Sequence, residues 1–265
     1  MTKASIGIFD SGFGGLTVMN AVKNLLPYEN IIYFGDTANL PYGNKSAEAI
    51  SGYCLKHTEF LLSQGIKLLI IACHTACASS YEQIEKISPI PVIGVVEPSL
   101  SLIKKHAKTG KIALLGTRRT IHSQVYQNLI AASFPHSEVT SIACPLFVPI
   151  VEEGYADHPL AESLVQEYLK PLQKKTIEAL LLACTHYPLL QKFIQKEMDP
   201  STILIDPSIE CAKQTQAILQ EKNLLNKNLT SPNYTFYVSD DPEKFRLFGK
   251  NFFPHPMEQV ISTHN

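Results

Sequence analysis

The sequence predicts an α/β protein built from two similar parallel-sheet domains, with a functional site in the cleft between them. Short runs rich in Ile, Val and Leu alternate along the 265 residues with longer segments of helical periodicity, which is typical of parallel sheets covered by helices. Two of these runs match each other: residues 69–76 read LIIACHTA and residues 181–188 read LLACTHYP. Each run ends abruptly at small and polar residues, as expected where a buried strand opens into a loop at the carboxyl edge of a sheet.

The individual elements follow from the same patterns. Apolar runs predict strands at Ser5–Phe9, Ile31–Phe34, Leu68–Ala72, Val92–Val96, Ile112–Leu115, Val139–Ile142, Ala179–Leu182, Ile203–Ile205 and Tyr234–Val238. Helical periodicity predicts helices at Leu16–Leu26, Ser46–Gln64, Ala76–Lys86, Pro98–His106, Arg119–Ala132, Pro159–Gln173, Pro188–Lys196 and Ile209–Gln220. A last strand and helix near 234–249 are expected to return to the first domain.

The chain is expected to cross between the two domains twice, near residues 97 and 207, and these two crossings would form a hinge. The first domain would then be discontinuous, with residues 1–97 plus 208–265, and the second would hold residues 98–207. Ligand sites often lie between domains, so the cleft is the expected location of the active site.

Composition and charge exclude several classes of protein. The content of 45% apolar and 18% charged residues is ordinary for a soluble globular protein, and we find no apolar stretch long enough to span a bilayer. A net charge of −1 without a basic stripe argues against nucleic acid as a partner. The first residues reach a charge and a glycine loop too early for a secretory signal, which predicts a cytoplasmic protein whose six cysteines are free thiols.

Two loops at predicted strand ends are candidate ligand-binding segments. Residues 10–15 read DSGFGG, and glycines at a helix start let backbone N–H groups approach an anion. The known phosphate fingerprints are absent, and the Asp10 carboxylate would repel a phosphate unless it serves as a base or binds an ammonium group. A tight turn capped by Asp10 or Ser11 is the alternative. The loop at 35–43, GDTANLPYG, is open to two similar interpretations, a ligand clamp or a surface turn.

Cys73 and Cys184 are the strongest candidates for chemistry, because each follows a matched strand and has a Thr and a His close by. A cysteine that begins a helix is expected to have a pKa below the usual value of about 8.5, so that it can take or give a proton. Cys73, His74 and Cys77 are spaced closely enough to bind zinc, but Cys184 and His186 match the required second pair of ligands poorly, so a zinc site is disfavoured. A redox pair is disfavoured because the sequence has no Cys-x-x-Cys motif. The remaining thiols are expected to pack in the core: Cys54, Cys77, Cys144 and Cys211.

Four motifs together resemble the cofactor-independent glutamate racemases of bacterial cell-wall synthesis. They are residues 10–15 (DSGFGG), 35–43 (GDTANLPYG), 72–76 (ACHTA) and 184–190 (CTHYPLL). The motifs occur in the family's order and spacing, and the resemblance covers almost the whole chain. Related aspartate racemases share the two cysteines, but the Asp-Ser-Gly start, the Pro-Tyr-Gly loop and the Thr-His-Tyr-Pro run are similar to the glutamate branch.

The resemblance implies an isomerase that interconverts L- and D-glutamate without any cofactor or metal and supplies D-glutamate for peptidoglycan. Inverting an α-carbon in this way requires a base on one face and an acid on the other, which two cysteines can provide. The family pattern implies these roles for Cys73 and Cys184, assisted by Asp10 beside the first and His186 beside the second. The implied substrate-binding residues are Asp10, Ser11, Tyr42, Gly43, His74, Thr75, Thr185 and His186, together with Glu152, which resembles an acidic residue of the same cleft. The oligomeric state stays open, with a homodimer as one option.

One residue departs from the family pattern. The family usually has Asn directly after the first cysteine, where this chain has His74. The imidazole either replaces the amide as a donor, or perturbs Cys73 and slows turnover, or changes the preferred substrate. We expect a working but atypical racemase. The alternatives are a racemase for aspartate or another acidic amino acid, and a catalytically weak protein that binds glutamate.

Overall fold

The computed structural model describes residues 2–228 and 230–263 and contains two parallel β-sheets. In chain order the strands are β1 (Ile6–Asp10), β2 (Ile31–Gly35), β3 (Leu68–Ile71), β4 (Val92–Gly94), β5 (Lys111–Gly116), β6 (Glu138–Ala143), β7 (Ala179–Ala183), β8 (Ile203–Ile205), β9 (Tyr234–Val238) and β10 (Gln259–Ser262). The first sheet has the order β10-β9-β2-β1-β3-β4 and the second β6-β5-β7-β8. The predicted fold class, two parallel-sheet α/β domains, is confirmed.

Helices connect the strands. They are α1 (Leu16–Leu25), α2 (Ala47–Ser63), α3 (His74–Ile87), α4 (Val96–His106), α5 (Arg118–Ser123), α6 (Val125–Ser133), α7 (Phe147–Glu152), α8 (Pro159–Leu169), α9 (Gln191–Glu197), α10 (Ser208–Glu221) and α11 (Pro242–Gly249). Short 3₁₀ turns lie at 42–44, 170–172 and 187–190. Among the described residues, no helix combines the length and the apolar character that crossing a membrane requires.

The central strands are buried on both faces, which explains why they read as unbroken apolar runs. Every residue of β1, β3 and β7 is buried. Strand β1 pairs with β2 on one side and β3 on the other, and β5 pairs with β7. The loops after these strands therefore lie side by side at the carboxyl edges of the sheets. The domain boundaries predicted near residues 97 and 207 stay a prediction.

The helix predicted at Arg119–Ala132 is wrong as a single element. Helix α5 ends at Ser123, and Gln124 adopts a left-handed conformation with φ of 57° before α6 begins at Val125. Neither glycine nor proline marks this break in the sequence. Helix α7 and strand β10 were not predicted, and the helix predicted at Pro188–Lys196 begins as a 3₁₀ turn and becomes α9 only at Gln191.

A buried ion pair joins four segments that are distant in the sequence, at residues 2, 29, 67 and 224–226. Lys67 donates hydrogen bonds from Nζ to Glu29 Oε2 at 2.5 Å and to the carbonyl oxygens of Thr2 and Leu224, each at 2.8 Å. The second carboxylate oxygen of Glu29 accepts from the backbone N–H of Asn226 at 2.7 Å. Lys67 and Glu29 are only 4% and 2% exposed, so each charge depends on the other for compensation.

We expect Lys67→Met to lower the free energy of unfolding by about 3–5 kcal/mol, because it leaves the Glu29 carboxylate buried without its cation. Urea unfolding followed by circular dichroism measures the change. The double variant Lys67→Met/Glu29→Gln should recover a large part of the loss, since no unpaired charge is then buried. A loss below about 1 kcal/mol for Lys67→Met would contradict this account.

Candidate active site in the cleft between the sheets

Ten of the eleven predicted site residues line one narrow cavity between the two sheets, with an empty volume of about 330 Å³. They lie in the loops that follow β1, β2, β3 and β7 and at the end of α7: Ser11, Tyr42, Gly43, Cys73, His74, Thr75, Glu152, Cys184, Thr185 and His186. Asp10, the eleventh, is fully buried beside the cavity. The sequence did not identify four further lining residues: Leu40, Pro41, Thr117 and Val148.

Cys73 is the N-terminal flanking residue of the 14-residue helix α3 and is 5% exposed. Its Sγ lies 3.6 Å from the hydroxyl oxygen of Ser11. Burial, reinforced by the negative charge of Asp10, raises the pKa of the Cys73 thiol to about 12, although the Ala76 N–H group and Ser11 act in the opposite direction. The expectation that the helix start would lower this pKa is therefore wrong for Cys73, because desolvation outweighs the helix N–H groups.

Cys184 has a different setting, because β7 leads into a four-residue 3₁₀ turn and not into an α-helix. Its Sγ lies 3.8 Å from Nδ1 of His186, and Nε2 of His186 lies 2.9 Å from Oε1 of Glu152. Burial alone would lower the pKa of His186, but the interactions with Cys184 and Glu152 outweigh it and raise the pKa to about 10. The second cysteine thus has an imidazolium beside it, held by a carboxylate, whereas the first has a carboxylate.

Asp10 connects the two halves of the site. Its Oδ2 accepts from the backbone N–H of Gly12 at 3.0 Å, and its Oδ1 accepts from the hydroxyl of Thr185 at 3.4 Å. Burial raises the pKa of Asp10, while His186 and the hydrogen bonds from Gly12 and Thr185 oppose the rise. A carboxyl group in this position can exchange a proton with groups on either side of the cleft.

The loop after β2 lines one side of the cavity with residues 40–43. The Tyr42 hydroxyl donates to Asp36 Oδ2 at 2.5 Å, and Asp36 also interacts with His57 Nε2 at 2.9 Å and accepts from the Ser239 hydroxyl at 2.7 Å. Burial would raise the pKa of Asp36, but these three partners lower it to about 2. Because the Tyr42 phenol is directed at Asp36, we expect Tyr42 and Gly43 to contact a ligand through their backbone N–H groups.

Three threonine hydroxyls from the two domains meet at the cavity wall. Thr75 Oγ1 lies 2.9 Å from Thr117 Oγ1 and 3.1 Å from Thr120 Oγ1, and the last two are 3.0 Å apart. Thr117 follows β5 and caps α5 through the N–H group of Thr120. The sequence carried a signal for Thr117, since it stands at the end of a predicted strand as Cys73 and Cys184 do, but none for Thr120.

His74 is buried, with 2% exposure, and its Nδ1 lies 2.6 Å from the hydroxyl oxygen of Tyr126 in α6. Burial lowers the pKa of His74 to about 3, so the imidazole is neutral. The residue that departs from the family pattern is thus a fixed, uncharged part of the cavity wall.

Gly14, in the turn at residues 10–15, lies directly against Thr185 and His186 in the loop that follows Cys184. A Cβ atom at this position would lie 2.2 Å from Thr185 Oγ1 and 2.5 Å from His186 Nδ1. Only glycine therefore allows this approach between the domains.

Within residues 2–228 and 230–263, no group of three or more His, Cys, Asp or Glu side chains is arranged to hold a metal ion. All six cysteines are free thiols and are buried. The chemistry that the cavity itself offers is proton transfer, by two thiols in opposite electrostatic settings.

Comparison with known proteins gives a consistent result. The family model described as Asp/Glu/hydantoin racemase matches residues 15–215. The glutamate racemase of Syntrophus aciditrophicus is 44% identical over 255 residues, covering 96% of this chain and 94% of the relative. The glutamate racemase of Neisseria meningitidis is 41% identical over 256 residues, with the same coverage. The crystal structure of Francisella tularensis glutamate racemase in complex with D-glutamate superposes with a TM-score of 0.94 at 39% identity, covering 99% of this chain and 98% of that chain.

Proposed function

Because the chain belongs to the Asp/Glu/hydantoin racemase family, we propose that it is an isomerase that interconverts L- and D-glutamate by proton transfer between two cysteines. The placement of Cys73 and Cys184 on the same cavity, after one strand of each sheet, is the observation that supports this function most directly. Relatives that are 41–44% identical and named glutamate racemases support glutamate over aspartate as the substrate.

The reaction needs a base on one face of the α-carbon and an acid on the other. One sulfur takes the α-proton, and the electron pair of the broken C–H bond stays on the substrate as a carbanion-like intermediate. The opposite thiol then donates its proton to the other face, which inverts the centre. The two cysteines exchange roles in the reverse direction.

The two electrostatic settings assign a resting state. The raised pKa of Cys73 keeps the proton on this thiol near neutral pH, so Cys73 is ready to act as the acid. Cys184 has its sulfur 3.8 Å from Nδ1 of His186, whose pKa is raised to about 10, and we assign Cys184 the role of the base opposite Cys73. Glu152, 2.9 Å from Nε2 of His186, holds that imidazole beside Cys184.

The carbanion-like intermediate is stabilised by the wall of the cavity. Hydroxyl groups of Ser11, Thr75 and Thr185 and the backbone N–H groups near Gly43 are donors that could bind the two carboxylates. The cavity between the two domains is narrow, and exclusion of water when substrate fills it would strengthen each of these hydrogen bonds.

Exchange of the α-proton in deuterium oxide tests the function. We expect the protein to incorporate deuterium into both L- and D-glutamate and to convert each into the other, with much slower reaction of aspartate. Absence of exchange with either glutamate enantiomer would contradict the proposal. If the His74→Asn variant alone were active, the chain would be a weak relative that binds glutamate.

We predict that Glu152→Gln shifts the alkaline limit of activity to lower pH. Glu152 helps to raise the pKa of His186, so its loss lets the imidazolium deprotonate at lower pH. If the His186 proton is required, kcat/KM of the native protein should persist to near pH 10 and fall above it, and the variant should fall about one pH unit earlier. Glu153→Gln, which neutralises the exposed neighbouring carboxylate, should leave the profile unchanged. Coincident profiles for Glu152→Gln and the native protein would contradict the assignment.

Cytoplasmic location stays a prediction of the sequence, and the oligomeric state stays open, with a homodimer as one option. Cell fractionation tests the first, and light scattering coupled to size-exclusion chromatography tests the second.

A further inference from the structure

The contact between His74 and Tyr126 crosses from one domain to the other, and the proton-transfer mechanism does not use it. His74 begins α3, directly after Cys73, whereas Tyr126 lies in α6 beside the second sheet. Their Nδ1 and hydroxyl oxygen atoms are 2.6 Å apart, and both residues are almost completely buried. A polar pair in this environment is strongly favoured over either group alone, because neither can be hydrated.

Tyr126 is a rigid anchor for this contact. Its side chain is 0% exposed and belongs to the apolar core of the second domain, together with Ile112, Leu114 and Ile130. The packing leaves the ring little freedom to rotate away from His74. The His74 ring, by contrast, lines the substrate cavity.

The surrounding groups determine where the proton lies in the pair. Burial raises the pKa of Tyr126 well above its ordinary value, so the phenol keeps its proton. Ser99, which also interacts with the phenol, donates its own hydroxyl proton to the carbonyl oxygen of Val95 at 2.6 Å. His74 Nδ1, 2.6 Å from the phenol oxygen, is a neutral acceptor, and a bond from Tyr126 to Nδ1 leaves the hydrogen of the ring on Nε2.

We propose that Tyr126 is a positioning residue of the active site, whose hydroxyl donates to His74 Nδ1 and thereby fixes a neutral imidazole with its Nε2–H group available to bound glutamate. The inference rests on the proposed function, since it assigns a role in substrate binding. It also makes closure of the two domains a condition for the correct orientation of His74.

Kinetics of four proteins test the coupling: native, Tyr126→Phe, His74→Gln and the double variant. Glutamine places a side-chain amide near the position of Nε2 but lacks an atom equivalent to Nδ1. We expect Tyr126→Phe to raise KM for glutamate about tenfold with a smaller change in kcat, because His74 binds the substrate in the ground state and the transition state alike. In the His74→Gln background, Tyr126→Phe should have no further effect.

A second measurement does not depend on turnover. ¹⁵N NMR of histidine-labelled protein reports which ring nitrogen carries the hydrogen, and the His74 signals are identified by their loss in His74→Gln. We expect Nε2–H in the native protein and a mixture of both neutral forms in Tyr126→Phe. Native protein that carries the hydrogen on Nδ1 would overturn the inference.

Tyr81→Phe is the matched control. Tyr81 donates from its hydroxyl to Glu85 at 2.9 Å and lies outside the cleft, so its loss should change neither KM nor the His74 signals. An effect of Tyr126→Phe that adds fully to that of His74→Gln, or that is no larger than the effect of Tyr81→Phe, would also overturn the inference. Native protein that does not racemise glutamate would instead refute the proposed function, and the NMR result would still decide the orientation of His74.

Discussion

Replacing either Cys73 or Cys184 with alanine is expected to reduce glutamate racemisation by roughly 10²- to 10⁴-fold, the range associated with loss of one acid–base group. Each variant loses the proton donor or acceptor on one face of the α-carbon and keeps the one on the other face. Inversion therefore fails in both directions. Exchange of the α-proton with solvent deuterium should survive for one enantiomer only, and for a different enantiomer in each variant.

Circular dichroism follows the inversion and NMR in deuterium oxide follows the exchange. Cys211→Ala is the matched control, because this thiol is equally buried but lies in α10 outside the cavity wall. It should racemise glutamate at close to the native rate. A Cys73→Ala or Cys184→Ala protein that keeps more than about a tenth of the native rate would refute the two-base mechanism.

The fold and most of the cavity wall follow from local features of the sequence. Runs such as 68–71 and 179–182 are apolar throughout because both faces of a parallel strand are buried, and each ends where the sheet opens into a loop. In a parallel sheet those ends meet at one edge, so motifs that follow separate strands must come together. That geometric rule brings together the motifs at residues 10–15, 35–43 and 72–76, which follow strands of the first sheet. The motif at 184–190 follows a strand of the second sheet, so its approach to Cys73 depends on how the two sheets pack.

The contacts that orient His74 and set the pKa of Cys73 depend on tertiary packing, which local sequence patterns do not predict. Tyr126 is an ordinary apolar position of a helix in the sequence, and only the tertiary fold brings its hydroxyl to His74 at the start of α3. The pKa of Cys73 likewise depends on its tertiary surroundings. A helix start favours a thiolate, but burial of the sulfur and the negative charge of Asp10 reverse this effect, and neither can be read from the residues next to Cys73.

The close approach of the domains makes Gly14→Ala the second substitution with a large expected effect. The new methyl group would lie 2.2 Å from Thr185 Oγ1 and 2.5 Å from His186 Nδ1, far inside contact distance. Both residues are buried, so they cannot move aside without displacing the loop that carries Cys184. A shift of about 1 Å in a reacting group can cost about 10²-fold in rate, and we expect kcat/KM for glutamate to fall by at least this factor.

Gly52→Ala separates this steric effect from a general effect of alanine. Gly52 lies within α2, where an added Cβ atom meets no atom within 4 Å, so the substitution should leave kcat/KM unchanged and stabilise the helix by up to about 1 kcal/mol. For Gly14→Ala the thermal midpoint should change much less than the rate, because the first domain can keep its core while the second domain is held slightly open. A native rate in Gly14→Ala would mean that turnover does not require the closed arrangement, and the proton-transfer geometry assigned to Cys184 and His186 would have to be abandoned.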